Sequence, residues 1–288
     1  MNFYKQNKNR HLGVHLSIAG GVHNALETAK KLKINAIQIF LKNNNQWQGA
    51  TLKEKDIENY HSIKKSIEDV KIFAHTGYLV NLAGDGDNHK KSIASLEDDL
   101  HRATLLHVEG IVLHPGSHIG KGEKAGLKKI VTSLDSVLKN NPSNSKILLE
   151  TSAGQGTSLG KTLEQLSFII AQSKYPEKLA VCIDTCHIFA AGYDFRTPES
   201  AANFINDFNS IIGLEKLALI HLNDSKTEFN SRRDRHEHIG KGSIGTKGFK
   251  SLLNQNELIQ VPLILETPKI NNNEADKKNL ATIRRLLQ

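Results

Sequence analysis

Residues 217–240 read LALIHLNDSKTEFNSRRDRHEHIG. Leu217–Ile220 form an apolar run of strand length. The run ends at His221, and a polar loop takes over. Within that loop Asp234 and His236 stand two residues apart, so an extended segment projects both to one side. Arg232, Arg233 and Arg235 surround them. Metal-ligand types interleaved with phosphate-binding types point to metal-assisted attack on a phosphate ester. The competing reading is a solvated basic loop with incidental histidines. The rest of the chain decides, because this form, a buried run closed by a chemistry-bearing residue, recurs along it.

The other apolar runs are Leu12–Leu16, Ala36–Leu41, Val70–Ala74, Gly110–Leu113, Ile147–Leu149, Leu179–Ile183 and Val261–Leu265, which makes eight in all. Amphipathic segments lie between them. Residues 21–32 carry Ala25, Leu26, Ala29 and Leu32 at helical spacing. Residues 90–106 carry Ile93, Leu96, Leu100 and Ala103 on one stripe, and 123–139 carry Leu127, Ile130, Val131, Leu134 and Val137. Further helices are expected over 54–66, 162–172, 198–211, 247–254 and 274–287, with Pro198 suited to a first helical turn. This is the rhythm of parallel βαβ units. Eight such units in 288 residues predict a single-domain (β/α)8 TIM barrel. An open doubly wound sheet would need a glycine-rich phosphate turn after an early strand, and Ser17–Val22 lacks the full pattern.

The residues closing the runs carry the chemistry. His15 lies near the end of the first run. His75, His114 and Glu150 follow the third, fourth and fifth. Asp184 follows the sixth, with His187 three further on, and His221 and Glu266 follow the last two. The second run departs from this, leading into Lys42–Trp47. In a parallel barrel these ends share one pit. Three converging carboxylates without cations would repel one another and drift toward protonation. Divalent ions relieve that. The candidate ligands are His75, His114, His187, His221, His236, Glu150, Asp184, Asp234 and Glu266. Mixed imidazole and carboxylate donors suit zinc, manganese or iron, and nine are too many for one tetrahedral ion, so two or three ions are expected. His15 is read as supporting a ligand or touching substrate. Cys182 shares the inward parity of Asp184 and is read as barrel filling, and Cys186 as packing.

Composition adds bounds. Lys and Arg number 38 against 30 Asp and Glu, a net charge of +8, which favours an anionic partner such as nucleic acid. The N-terminal MNFYKQNKNR is polar, with no secretory apolar core, and is expected to be a mobile basic tail over residues 1–10, ahead of one catalytic domain over 11–288. No apolar run reaches membrane-spanning length. Cys182 and Cys186, four apart, are poorly placed for a disulfide on one strand. The expectation is a cytoplasmic, soluble protein, monomeric and without a membrane partner.

With these residues in view, GVHLSIAGG, IQIFLKNNNQW, AHTGYLVNLA, LHPGSH, LLETSAGQG, VCIDTCHIFAAGYD, HLNDSK, RRDRHEHIGKGSIG and LILETP resemble, in order and over almost the whole chain, the motifs of the endonuclease IV family of apurinic/apyrimidinic endonucleases. The resemblance implies a TIM barrel with three zinc ions, manganese or iron being admissible at individual sites. One zinc would take His75, His114 and Glu150. A second would share Glu150 and add Asp184, His221 and Glu266, and a third would take His187, Asp234 and His236. It implies hydrolysis of the phosphodiester 5′ to an abasic site in double-stranded DNA by a metal-bridging hydroxide, leaving 3′-hydroxyl and 5′-deoxyribose phosphate ends. Glu150, Glu266, Asp184 and His221 would surround the reacting water.

Tyr78 and Leu79 match a family loop that enters the DNA. Many members carry an arginine where this chain has Asn45, so Lys42 is expected to supply a nearby cation. Gln155, between Gly154 and Gly156, and Asn223, Lys226 and Arg235 are the further expected DNA contacts. Two other functions compete. A metal-dependent sugar isomerase or epimerase on the same barrel needs neither the Asp234–His236 site nor the basic loops. A non-catalytic damage-binding module would bind abasic DNA without cutting it.

Overall fold

In the computed structural model, which describes residues 10–139, 141, 143–269 and 273–288, the eight apolar runs are the eight strands of a closed barrel. They are β1 (Leu12–Leu16), β2 (Ala36–Phe40), β3 (Lys71–His75), β4 (Gly110–Leu113), β5 (Lys146–Glu150), β6 (Leu179–Asp184), β7 (Leu217–Leu222) and β8 (Leu263–Leu265). Each pairs in parallel with its neighbours in sequence, and β8 closes on β1. The expected run at 261–265 starts late because Pro262 has no N–H for the ladder; its carbonyl accepts from Ile220 N at 3.0 Å instead.

Side chains alternate along each strand. One set faces the helices and builds the large apolar sheath, for example Ile37, Ile72, Ile111, Leu149 and Ile220. The other set fills the barrel with Ala36, Phe73, Val112, Leu148, Ala180, Cys182, Leu219 and Ile264. β1 adds no bulk there: a Cβ at Gly13 would lie 1.5 Å from the carbonyl oxygen of Ala36, so only glycine fits. Two residues further along each strand direction, from Gly13, Ala36, Phe73, Val112, Leu148, Cys182, Leu219 and Ile264, stand His15, Gln38, His75, His114, Glu150, Asp184, His221 and Glu266. The parity that fills the barrel thus raises a ring of polar groups at its C-terminal mouth.

The flanking helices follow their apolar stripes. Helix His23–Leu32 buries Ala25, Leu26, Ala29 and Leu32. Helix Glu123–Leu138 buries Leu127, Ile130, Val131, Leu134 and Val137. Helix Pro198–Ile211 opens with Pro198 and a capping box between Thr197 and Ser200. Helix Gly86–Leu106 buries Leu96, Leu100 and Ala103, but Ile93 is only half-buried.

The periodicity did not anticipate helix Thr185–Ala191, which begins where β6 ends. Asp184 caps it by accepting from His187 N at 3.0 Å, and Gly192, at φ 101°, stops it. Cys186 therefore lies on a helix, not beside a strand. Residues 1–9 of the expected tail lie outside the described residues. Arg10, counted with that tail, belongs to the folded domain: it is buried and donates to the carbonyls of Leu253 and Leu258 at 3.0 and 2.6 Å. No described helix is long and apolar enough to cross a membrane.

Candidate metal centre

The nine ligand-type side chains, drawn from β3 to β8, the loops after them and helix Thr185–Ala191, meet at the barrel mouth in three linked groups. In the first, His75 Nε2 and His114 Nδ1 each lie 3.2 Å from Glu150 Oε2. In the second, His221 Nδ1 lies 2.8 Å from Glu150 Oε1, 3.1 Å from Glu266 Oε2 and 3.9 Å from Asp184 Oδ2. In the third, His187 Nε2 and His236 Nε2 lie 3.1 and 3.2 Å from the two oxygens of Asp234. His236 Nε2 is also 3.7 Å from Asp184 Oδ2. Glu150 joins the first group to the second, and Asp184 joins the second to the third.

The donor set tests what belongs between these groups. His75 Nδ1 faces the carbonyl of Thr76 at 2.8 Å, His187 Nδ1 that of Thr151 at 2.8 Å, and His236 Nδ1 that of Glu266 at 3.2 Å. A carbonyl only accepts, so in the neutral ring the proton sits on Nδ1. Each Nε2 then turns a lone pair toward a carboxylate, an acceptor against an acceptor. His236 Nε2 is buried with no hydrogen-bond partner among the described residues. Only a proton or a metal cation makes such contacts favourable, and an imidazole whose other nitrogen is anchored to a carbonyl is the usual form of a metal-binding histidine. The residues fit cations.

The electrostatics agree. Burial alone would raise the pKa of Glu150, but His114 and His221 hold it well below the usual carboxylate range. Burial opposes protonation of His187, yet Asp184 and Asp234 lift it well above the ordinary histidine value. Against the same penalty, Asp184 and Asp234 raise His236 to about 9. His114 moves down, burial being the largest cause. The field of the carboxylates draws positive charge into the mouth, where a cavity of about 390 Å³ opens over the cluster, bounded also by Phe40, Tyr78, Thr267 and Lys269. A larger hollow of about 940 Å³ lies by Arg10, Asn35 and Asp69, just before β1, β2 and β3 and so at the opposite end of the barrel. It shares no residue with this centre.

Several supporting residues were not read from the sequence. Gln38 is fully buried and touches both His221 and Glu266. Its signal was present: a polar residue at an inward position of AIQIF. Thr151 accepts at its carbonyl from His187 and, at its hydroxyl, from Asp184 N at 2.9 Å. Asp224 is fully buried. Its two carboxylate oxygens accept from the backbone N–H groups of Ser225, Gly240, Gly242 and Ile244 at 2.8–3.1 Å. That pins residues 240–244 beside the two-residue strand His236–Glu237, which pairs antiparallel with Asp224–Ser225. His15 Nδ1 lies 3.1 Å from Glu266 Oε1, so this histidine supports a ligand-type carboxylate.

Two expected DNA contacts are corrected. Lys42 is turned inward: its Nζ lies 3.0 Å from Asp98 and 2.9 Å from Asp99 and donates to Ser95 O at 2.7 Å, so its charge is spent inside the protein. Asn223 is fully buried, donating to Asp184 Oδ2 at 2.6 Å and accepting from Glu266 N at 2.9 Å. It orients the Asp184 carboxylate, holds the backbone of Glu266, and has no surface for a phosphate. The others lie outside. Tyr78 is 66% and Leu79 39% exposed, with the Tyr78 ring edge-on to Phe40 at 5.6 Å. Asn45, Gln155, Lys226 and Arg235 are exposed.

A family model described as a xylose isomerase-like TIM barrel matches residues 26–286. The protein named "Probable endonuclease 4" of Geobacter sulfurreducens is 44% identical over 282 residues, covering 97% of this chain and 95% of its own length. The crystal structure of endonuclease IV from Thermus thermophilus superposes with a TM-score of 0.83 at 34% identity, over 96% of this chain and 98% of that one. A D-tagatose 3-epimerase-like protein superposes with a TM-score of 0.71 at 20% identity, over 96% and 97% of the two chains, a likeness of fold alone. With relatives this similar over nearly their full length, the chain belongs to the endonuclease 4 family.

Proposed function

We propose that the protein is a zinc-dependent endonuclease of base excision repair that hydrolyses the phosphodiester 5′ to an abasic site in double-stranded DNA, leaving a 3′-hydroxyl and a 5′-deoxyribose phosphate. The observation that carries the reading is the linkage of three imidazole–carboxylate groups through Glu150 and Asp184. His75, His114 and Glu150 would hold one ion. Glu150, Asp184, His221 and Glu266 would hold a second, and His187, Asp234 and His236 a third. Zinc, when bound, supplies a water acidified enough to act as nucleophile near neutral pH and neutralises phosphate charge.

The chain's own residues do the rest. Glu150 and Asp184 keep the three groups in one register. Asn223 and His15 fix the rotamers of Asp184 and Glu266. Tyr78 and Leu79 are the apolar groups available to enter a duplex at the gap an abasic nucleotide leaves, where extrusion costs least. Asn45, Gln155, Lys226 and Arg235 meet the flanking backbone, Lys226 and Arg235 supplying positive charge. A sugar epimerase has no use for the Asp234–His236 group or for these rim residues.

The test joins elemental analysis with cleavage of a duplex carrying one abasic site. The wild type is expected to hold close to three zinc ions per chain and to cut 5′ to the lesion. Glu150→Gln is expected to lower the rate by roughly a thousandfold or more, as lost charge stabilisation does. Normal turnover by that variant, or a wild type that binds abasic DNA and leaves it intact, rejects the reading.

A further inference from the structure

We infer that Gln38 is a positioning residue that sets which nitrogen of His221 faces the metal centre, a role that rests on the zinc reading above. His75, His187 and His236 have Nδ1 anchored on backbone carbonyls and turn Nε2 toward the carboxylates. His221 is reversed. It turns Nδ1 to Glu150 and Glu266, and its Nε2 meets Gln38 Oε1 at 2.8 Å. Among the described residues no backbone carbonyl anchors this ring in the way the other three are anchored, so the amide stands in for one.

The orientation of that amide is fixed from its other end. Gln38 Nε2 donates to Glu266 Oε1 and lies 3.0 Å from His15 Nδ1. A carboxylate only accepts, so the amide nitrogen must face Glu266 and the amide oxygen must face His221. An amide oxygen in turn requires a proton on His221 Nε2. The neutral ring has one proton, and Nδ1 is left with its lone pair among carboxylate oxygens, where a cation would be held. Gln38 reaches this place because its position on β2 shares the inward parity of the ring of ligands, and full burial shields both hydrogen bonds from competing water. The amide thus aligns two ligands at once, the imidazole of His221 and the carboxylate of Glu266, without touching a cation itself.

Two substitutions at this position separate tautomer control from simple packing. Gln38→Met fills similar volume and has no acceptor of comparable strength. Gln38→Glu keeps an acceptor for His221 Nε2–H and loses the donor to Glu266. The readouts, on full-length zinc-loaded chains, are the exchange-protected Nε2 proton of His221 by ¹⁵N-resolved NMR and zinc affinity by competition with a chelator. In the wild type and Gln38→Glu the proton is expected to be protected. In Gln38→Met it is expected to exchange freely, and zinc affinity to fall roughly ten- to a hundredfold. If Gln38→Met keeps the protected proton, or binds zinc as the wild type does, the inference is overturned while the metal reading stands. A wild type that takes up no zinc defeats both.

Discussion

Lys42 and Asp99 show what a single buried pair does to the rim of this barrel. Lys42 Nζ reaches Asp98, Asp99 and Ser95 O, and Arg102 reaches both Asp98 and Ala50 O, the latter at 2.9 Å. Together they tie residues 42–50 to helix Gly86–Leu106. Asn44 O in turn accepts from Tyr78 N at 3.2 Å, so the clamp extends to the exposed tyrosine. Asp99 is buried, and burial raises its pKa to about 6 against the pull of Lys42. A carboxyl raised in this way keeps its proton in the folded state after the unfolded chain has released it. Its contribution to stability is therefore full below the ordinary value of 3.8 and is lost as pH rises through about 6. The unfolding free energy of the wild type, measured against Asp99→Asn, is expected to fall by on the order of 2 kcal/mol across that window and stay level above it. Denaturant titrations at a series of pH values check this, and a flat difference rules it out.

At the scale of elements, the loop after β7 depends on Asp224 more than on its own sequence. Asp224 Oδ2 accepts from Gly240 N and Gly242 N, and Oδ1 from Ser225 N and Ile244 N. At Gly242 a Cβ would come within 2.3 Å of Ser225 O, so the chain passes close only because that residue is glycine. Asp224→Ala leaves these donors without their partner, and about 3 kcal/mol of stability should disappear with it. His236, on the strand paired with Asp224–Ser225, should shift as well. Urea denaturation and metal content of the variant are the measurements, and an unchanged midpoint with the wild-type metal content contradicts the prediction.

The elements themselves were mostly legible in the sequence. An apolar run of four to six residues is self-contained evidence for a buried parallel strand, and a stripe such as Leu127, Ile130 and Leu134 for a helix. Helix Thr185–Ala191 was not, because seven residues, all buried, show no polar face to set a period. Nor were Lys42 and Asn223. Their polar types suggest solvent, and their burial is decided by Asp98, Asp99, Asp184 and the backbone of Glu266, partners tens of residues away. The nine ligand-type residues stood out because each closes a run or lies in the segment just beyond one. Gln38 did not, because it sits inside one.

For the whole molecule, the barrel holds in place a cluster of charge that an apolar interior would otherwise reject. With cations removed, the histidines must take protons to keep the carboxylates apart. Burial opposes this, yet the acidic neighbours raise His187 and His221 well above the ordinary value and His236 to about 9. The raised pKa of His236 stabilises the folded chain fully below the ordinary value of 6.5, and that support is lost as pH climbs through about 9. Chelation is therefore expected to lower the melting temperature at pH 6 and to lower it by about 5 °C more at pH 9. Calorimetry with and without chelator reads the two gaps, and equal gaps refute the account.

Glu150 reaches all three groups, through His114, His221 and His187, and Asp184 reaches two, through His221 and His236, whereas His114 and Asp234 each stay within one. Drawn as a graph, the centre is three nodes joined through Glu150, with Asp184 adding a second edge between two of them. Removing Glu150 cuts off the node of His75 and His114, whereas removing Asp184 leaves His187 of the third node still 3.7 Å from Glu150. Under the proposed function, the severity of a lesion in this centre is therefore ranked by connectivity, with Glu150 first, and not by nearness to the bond being broken.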